Sequence, residues 1–434
     1  MTGKTAFHAK KRAALIALFA MALIAVIFAL ALFDGAAYAA SDRYDVTATK
    51  RSISAGVTET KYYTNNETND DQVVAYTVEV DLSQNTLFAG YKNYDSSGNW
   101  GLDTVRNHVS VAEKARGVKV VAAVNGDFFN MATGEPTGAL VMNGKQVHAS
   151  DNRIYFAILK DSNKAVIRTG ELQGDEAEAI GAASMLIQDG TIVASADDTV
   201  KQPRTAVGIK EDGTVVLIVA DGRQAPYSSG YSLYDLACKL KDAGCVVAAN
   251  LDGGGSTTYL AKYAGSDELT LANSPSDGQE RSVSSSLMVV SNAEPTGIFD
   301  YAEISPNNLV YTPGSTVSFT ATGADTAGFP ADIPQDAYWR LNEADEAYGE
   351  ISASEGGTAT FTSKEDAIPA EGTDVTVELV YQGKVVGSST IELRHPDTIY
   401  FSSSAVTLAF GERSDLGLKA LWKQREVSLR SAGD

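Results

Sequence analysis

Histidine and cysteine are scarce in this chain. Its 434 residues include four histidines and two cysteines. The histidines are His8, His108, His148 and His395, and no pair of them has zinc-ligand spacing. No Gly-x-Ser-x-Gly elbow occurs either. These absences exclude a zinc-finger module and a serine hydrolase built on a nucleophile elbow. A hydrolase made from this sequence relies on carboxylates, arginines and backbone amides. Positive charge is also short: 35 Lys and Arg stand against 55 Asp and Glu, a net charge of −20. A surface that acidic repels a phosphate backbone, so nucleic acid is excluded as a partner. Cys238 falls in a predicted helix and Cys245 opens the next strand. Both read as small buried hydrophobes rather than as a disulfide or a nucleophile, since no histidine lies near either in sequence.

A long apolar run occurs once, at the N-terminus. Lys4, Lys10, Lys11 and Arg12 precede an unbroken apolar stretch from Ala13 to Phe33, and Ala37-Tyr38-Ala39 offers a small-residue cleavage site. Residues 1–41 therefore read as a signal peptide, with an uncleaved membrane anchor as the competing reading because the run is long enough to span a bilayer. Both place the remainder outside the cytoplasm, secreted or at the cell surface, with the cell envelope as its surroundings.

The rest divides by pattern. Residues 42–72 are polar and Thr/Asn-rich, a leader into the first strand. Residues 73–292 mix strands and helices, and a linker near Asn292-Ala293-Glu294-Pro295 leads into a strand-rich remainder. The expected fold class is an α+β domain with a mixed sheet, followed by an all-β immunoglobulin-like sandwich region. A weak repeat relates residues 302–311 to 398–408, which suits one sandwich over 293–396 and a partial second copy over 397–434. That second copy is too short to close two sheets, so the chain is a fragment or its last segment pairs elsewhere. Asn143-Gly144, Asp189-Gly190 and Asp212-Gly213 are hairpin signals. The clearest unit is Val215–Ala220, a helix opened by the Ser232/Asp235 capping box and stopped by Gly244, then Cys245–Leu251. Strand–helix–strand implies two parallel neighbours, with Asp221 and Asp252 at one carboxyl edge.

Chemistry-bearing residues cluster at such strand ends. Asn125-Gly126-Asp127-Phe128-Phe129 follows a buried strand, and Arg204-Thr205-Ala206-Val207-Gly208 opens another. Asp221-Gly222-Arg223 puts two charges on one loop, and Asn250-Leu251-Asp252-Gly253-Gly254-Gly255-Ser256-Thr257-Thr258 follows a carboxylate with three glycines and three hydroxyls. Guanidiniums bind phosphate oxygens bidentately, and consecutive glycines let backbone N–H groups converge on an anion. Two carboxylates can serve as acid and as base or nucleophile. Asp-Gly and Asn-Gly pairs are mostly turns, and Phe128 and Phe129 are more often core than a sugar platform. The triple-glycine loop is hardest to explain as punctuation. Asp252, Asn250 and Asp221 also offer oxygen ligands to a divalent cation such as calcium, without EF-hand spacing.

These motifs, in this order and closed by Arg281-Ser282-Val283-Ser284-Ser285-Ser286-Leu287, resemble the phosphodiester glycosidase family over residues 73–292. That family includes the enzyme that uncovers mannose 6-phosphate on lysosomal proteins, and its bacterial members are associated with exopolysaccharide. The resemblance implies hydrolysis of a glycosyl phosphodiester, with a glycan or sugar-phosphate polymer as substrate. Asp252 and Asp127 then become the acid–base pair, with Arg204 and Asp221 beside them as catalytic residues. Arg204 and Arg223 would bind the phosphate, and the amides of Gly253, Gly254 and Gly255 would stabilise developing negative charge. Asn125, Asn250, Ser256, Thr257 and Arg281 complete the expected substrate contacts. Ser285 and Ser286 depart from the Asn-Ala or similar small residues common in the family. Two rivals remain: a non-catalytic glycan-binding surface protein, and glycosyl transfer at the same site.

Overall fold

The computed structural model describes residues 45–65, 72–93, 100–354, 357–401, 417–422 and 425–429. The basic and apolar segment read as signal or anchor lies outside them. Among the described residues no helix is long and apolar enough to cross a membrane.

The segment expected to be a polar leader is instead a hairpin, β1 (Asp45–Ser54) and β2 (Val57–Asn65), with β2 pairing antiparallel to β3 (Val73–Val80). Its alternation is masked by polar inward residues. Glu59 is buried because Arg51 grips it with two bonds of 2.7 and 2.8 Å and Tyr259 donates to it at 2.6 Å. There follow β4 (Asn85–Gly90), α1 (Val105–Arg116), β5 (Lys119–Asn125), β6 (Leu140–Met142), β7 (Lys145–His148), β8 (Ile154–Leu159), β9 (Ala165–Thr169) and β10 (Glu176–Ala182). Next come β11 (Ser184–Gln188), β12 (Thr191–Ile192), β13 (Arg204–Lys210), β14 (Val215–Ala220) and α2 (Leu233–Asp242). The region closes with β15 (Cys245–Asn250), β16 (Tyr259–Lys262), β17 (Leu269–Leu271) and β18 (Ser286–Ser291).

These strands make three sheets, ordered β1-β2-β3-β14-β13-β15-β11-β12, β7-β6-β10-β8-β9 and β17-β16-β5-β18-β4. All three contribute to one core, with Tyr76, Leu217 and Ala249 from the first, Phe156 and Ile180 from the second, and Val124 and Leu287 from the third. Helix α2 covers the outer face of the first sheet through Leu236, Ala237 and Leu240, and α1 covers the third through Val105 and Val109. Helix α2 opens as read from sequence, with Ser232 and Asp235 forming the capping box, and Gly117 caps α1 at φ 64°.

The expected mixed sheet is not found. Each described ladder of this region is antiparallel. β14 and β15 do run the same way, but β13 lies between them, antiparallel to both. The short β13–β14 hairpin takes the slot beside β14, so the α2 crossover must step over it. Asp221 and Asp252 still follow the carboxyl ends of like-directed strands.

The remainder is all β. The strands are β19 (Tyr301–Ser305), β20 (Val310–Tyr311), β21 (Thr316–Ala324), β22 (Tyr338–Leu341), β23 (Gly349–Ser354), β24 (Thr358–Ser363), β25 (Thr373–Tyr381), β26 (Lys384–Leu393), β27 (Thr398–Phe401), β28 (Leu418–Trp422) and β29 (Arg425–Ser428). They form sheets β19-β21-β24-β23 and β22-β25-β26-β20-β29-β28-β27 around a shared core that includes Phe319, Phe361 and Leu379. The described part of the second repeat copy is no separate half-sandwich. β29 pairs parallel with β20, so these strands extend the existing sheet and bury part of its edge. The echo of 302–311 is only partly described, because residues 402–416 fall outside.

Arg51 also donates to the Lys262 carbonyl at 2.9 Å and lies 3.6 Å from Glu303, tying the N-terminal hairpin to β16 and β19. Its side chain is 12% exposed and that of Glu59 5%. Glu59→Ala leaves this guanidinium without its bidentate partner and is expected to cost about 3–5 kcal/mol in denaturant unfolding.

Candidate active site

The site forms where the first and third sheets meet end to end. After β15 the chain crosses from the first sheet to the third through residues 251–258. Along the way the Leu251 N–H donates to Thr205 O and the Asp252 N–H to Gly126 O, each at 2.9 Å. Beneath this crossing lies Asn125, fully buried. Its Nδ2 donates to Asp252 O at 2.7 Å, and its Oδ1 accepts from Thr205 Oγ1 at 2.7 Å and from the Thr258 N–H at 3.1 Å. Asn125 therefore fastens β5, β13 and both ends of the loop together. It does not face substrate as expected, because its amide is spent on protein groups.

Asp127 is 1% exposed. Its Oδ1 accepts the Phe128 N–H at 2.8 Å and its Oδ2 the Gly138 N–H at 2.7 Å. A Cβ on Gly181 would stand 2.2 Å from Oδ2, and one on Gly138 2.9 Å, so both glycines exist to admit this carboxylate. Burial pushes its pKa up to about 6 against those two N–H bonds and the charge of Arg153, and the charge of Asp252 raises it further. Asp252 is 9% exposed, and burial raises its pKa too. There the Ser256 hydroxyl, the Gly253 N–H at 2.8 Å and the charge of Arg281 favour the ionised form. The two carboxylates predicted as a pair are thus brought together, in environments that treat their protons differently.

The glycine loop does something other than expected. The Gly253 N–H is used on Asp252 and the Gly254 N–H on Pro203 O at 2.9 Å. Instead of aiming amides at an anion, the glycines let other groups approach. A Cβ on Gly253 would meet Pro203 O at 2.6 Å, one on Gly254 (φ 60°) the Arg223 guanidinium at 3.1 Å, and one on Gly255 the Arg281 guanidinium at 2.0 Å. The loop is a saddle for two arginines. Arg223 is exposed and held by Gln202 at 2.5 Å. Asp277 orients Arg281 at 2.7 Å, and its guanidinium reaches Ser256 Oγ at 3.4 Å.

Three expected participants are placed elsewhere. Asp221 is fully buried and accepts from Tyr227 Oη, Asn273 Nδ2 and the Ser274 N–H, all at 3.0 Å, so it ties loops together. Arg204 spends donors on the Tyr231 and Val200 carbonyls at 3.0 Å, and burial lowers its pKa. Asn250 lies two residues after Ala248, on the sheet face that packs against α2, with its Oδ1 buried and unpartnered. The oxygens considered for calcium are therefore not gathered: Asp221 is saturated by donors and Asn250 points to another layer. Among the described residues no three of His, Cys, Asp and Glu converge as metal ligands. Thr257 is buried in the loop with its hydroxyl unpartnered.

Sequence reasoning missed Arg153, Asn273 and Asp277, and met Ser285 only as a departure from the family. Ser285 accepts the Asp127 N–H on its Oγ at 3.2 Å and the Gly126 N–H on its carbonyl at 2.9 Å, which gives the family departure at this position a role in holding Asp127. Asp277 was findable, standing four residues before Arg281. Arg153 and Asn273 come from remote strand starts and loops, with no local signal.

Residues 118–290 match the family model described as phosphodiester glycosidase. The chain is 32% identical over 182 residues to mouse N-acetylglucosamine-1-phosphodiester alpha-N-acetylglucosaminidase, covering 36% of this chain and 33% of that protein. The human enzyme of the same name is 31% identical over 199 residues, 40% of this chain and 36% of that one. The catalytic domain of the zebrafish enzyme, solved auto-inhibited by its pro-peptide, aligns with a TM-score of 0.44 at 24% identity, over 57% of this chain and 88% of that one. The chain spans about a third of the length of its curated mammalian relatives. The resemblance read from the ordered motifs is borne out by the family model over residues 118–290.

The glycines of the site separate two kinds of close approach. Gly181→Ala drives a methyl into a carboxylate fixed by two N–H bonds and is expected to cost about 1–3 kcal/mol in chemical denaturation. Gly255→Ala displaces the outer ends of Arg281 and of its partner Asp277, two flexible and partly exposed side chains, and is expected to cost less than about 1 kcal/mol.

Proposed function

We propose that this chain is an extracytoplasmic hydrolase that cleaves a glycosyl phosphodiester in a cell-surface or extracellular glycan, with Asp127 and Asp252 handling the protons. The observation that carries this reading is the pairing of two buried carboxylates, with the charge of Asp252 acting on Asp127, at a loop that seats two guanidiniums. The names of the curated relatives point to the same bond, and the N-terminal basic and apolar run supports export.

The reaction breaks the bond between the anomeric carbon and a phosphate oxygen. Negative charge builds on the departing phosphate, and a phosphate monoester takes its second proton near pH 6. Asp127, held near the same value by burial, is matched to deliver that proton. Asp252, whose pKa burial raises against the opposing Ser256 hydroxyl, Gly253 N–H and Arg281 charge, acts in its ionised form as base towards water or as nucleophile at the anomeric carbon. Arg281 and Arg223 lie over the loop where the phosphate charge would rest, held in place by Asp277 and Gln202, so their charge is oriented before the reaction.

Two outcomes test this. With the full chain and a panel of sugar-1-phosphate diesters, Asp252→Asn and Asp127→Asn are each expected to lower kcat about 10²–10⁴-fold. Wild-type turnover by a folded Asp252→Asn protein sinks the assignment. For pH, Asp127 acts protonated, so the rate falls as pH rises through about 6. Asp252 acts ionised, so the rate falls again as pH drops through its raised pKa. The expected profile is an acidic bell, checked by kcat/KM against pH; a rate still climbing above pH 7 contradicts it.

A further inference from the structure

Arg153 is a guanidinium with nothing to hold. Among the described residues Arg51, Arg116, Arg168 and Arg281 all grip carboxylates, and Arg204 grips carbonyls. Arg153 is half-buried, its Nε is fully buried without a hydrogen-bond partner, and among the described residues no carboxylate oxygen lies within 4.0 Å of its guanidinium. An unsatisfied buried donor is costly, so a protein retains one where a ligand satisfies it.

Its position says which ligand. Arg153 immediately precedes β8, and its side chain passes Gly138, with Cδ 3.9 Å from where a Cβ on Gly138 would stand. That same point is 2.9 Å from Asp127 Oδ2. The positive charge of Arg153 acts on Asp127, yet the two form no ion pair. A guanidinium and a carboxylic acid near each other, without an ion pair between them, can offer an N–H and a proton to one acceptor. A phosphate oxygen is such an acceptor.

We propose that Arg153 binds an oxygen of the substrate's phosphate beside Asp127, so that the anion is held from the Asp127 side by Arg153 and from the Asp252 side by Arg281. The assignment rests on the hydrolase reading and adds a phosphate-binding residue to it. Arg153 is then also the residue that keeps the Asp127 carboxyl from rising further, through its charge.

The test uses the full chain with inorganic phosphate as the probe, followed by titration calorimetry. The wild type is expected to bind phosphate, Arg153→Ala to bind it about 10- to 100-fold more weakly, and Arg153→Lys to recover part of the loss. The thermal midpoint of both variants should hold, since among the described residues no group bonds to Arg153. The limb of the pH–rate profile assigned to Asp127 should move to higher pH in Arg153→Ala, which a structural role would not cause. Equal phosphate affinity in wild type and Arg153→Ala, or no phosphate binding by the wild type, overturns the proposal. Diester turnover with unchanged KM in Arg153→Ala overturns it while leaving the hydrolase reading standing. Phosphate binding that depends on Arg153 without turnover of any diester upholds the anion site and removes the hydrolase reading instead.

Discussion

The buried amide of Asn125 is the joint on which this site is built. One side chain holds the carbonyl of Asp252, the hydroxyl of Thr205 and the N–H of Thr258, and so closes two sheets over each other at their ends. Because the backbone of Asp252 bonds to Gly126, the residue next to Asp127, the two carboxylates have little freedom to separate. Burial raises the pKa of both, and at Asp127 the charge of Asp252, held close by these backbone hydrogen bonds, adds to the rise. A site assembled this way is preorganised by the fold, which is what charge stabilisation in a reaction requires.

The same constraint explains the glycines. Around Asp127, Gly138 and Gly181 make a space in which a carboxylate fits and a methyl group does not. In the loop after Asp252 the backbone N–H groups of Gly253 and Gly254 already have partners, so the missing side chains serve the approach of Arg223 and Arg281. Positive charge at this site therefore comes from guanidiniums seated on a bare backbone. The acidic surface and the arginine-lined site fit together: elsewhere arginines such as Arg51 and Arg116 are held in ion pairs with Glu59 and Glu178.

Local pattern carried much of this fold. The apolar run of β14, the capping box at Ser232 and the crossover to β15 are all short-range features, and each stands where the local pattern puts it. The hairpins at Asn143-Gly144 and Asp189-Gly190 have both central residues at positive φ, whereas the one at Asp212-Gly213 is a wider turn. What local pattern could not show was which strand lies beside which. The β13 insertion, the pairing of the polar β1–β2 hairpin and the capture of β29 by β20 are decided by long-range contacts. The site divides along the same line. Asp127, Asp252 and the glycine loop were legible because each ends a buried strand. The roles of Asn125 and Asp221 were misread because sequence cannot tell a polar residue that faces a cleft from one that ties loops together. Arg153 was invisible because only the fold brings the start of β8 beside Asp127.

The central claim is that Asp127 and Asp252 titrate as neighbours in one buried site. Carboxylate carbon NMR across a pH titration measures this directly. The account predicts that Asp127 takes up its proton near pH 6 in the wild type and at lower pH in Asp252→Asn, where the neighbouring charge is gone. A wild-type Asp127 that titrates near the ordinary value of about 4, unmoved by the Asp252 substitution, would contradict it.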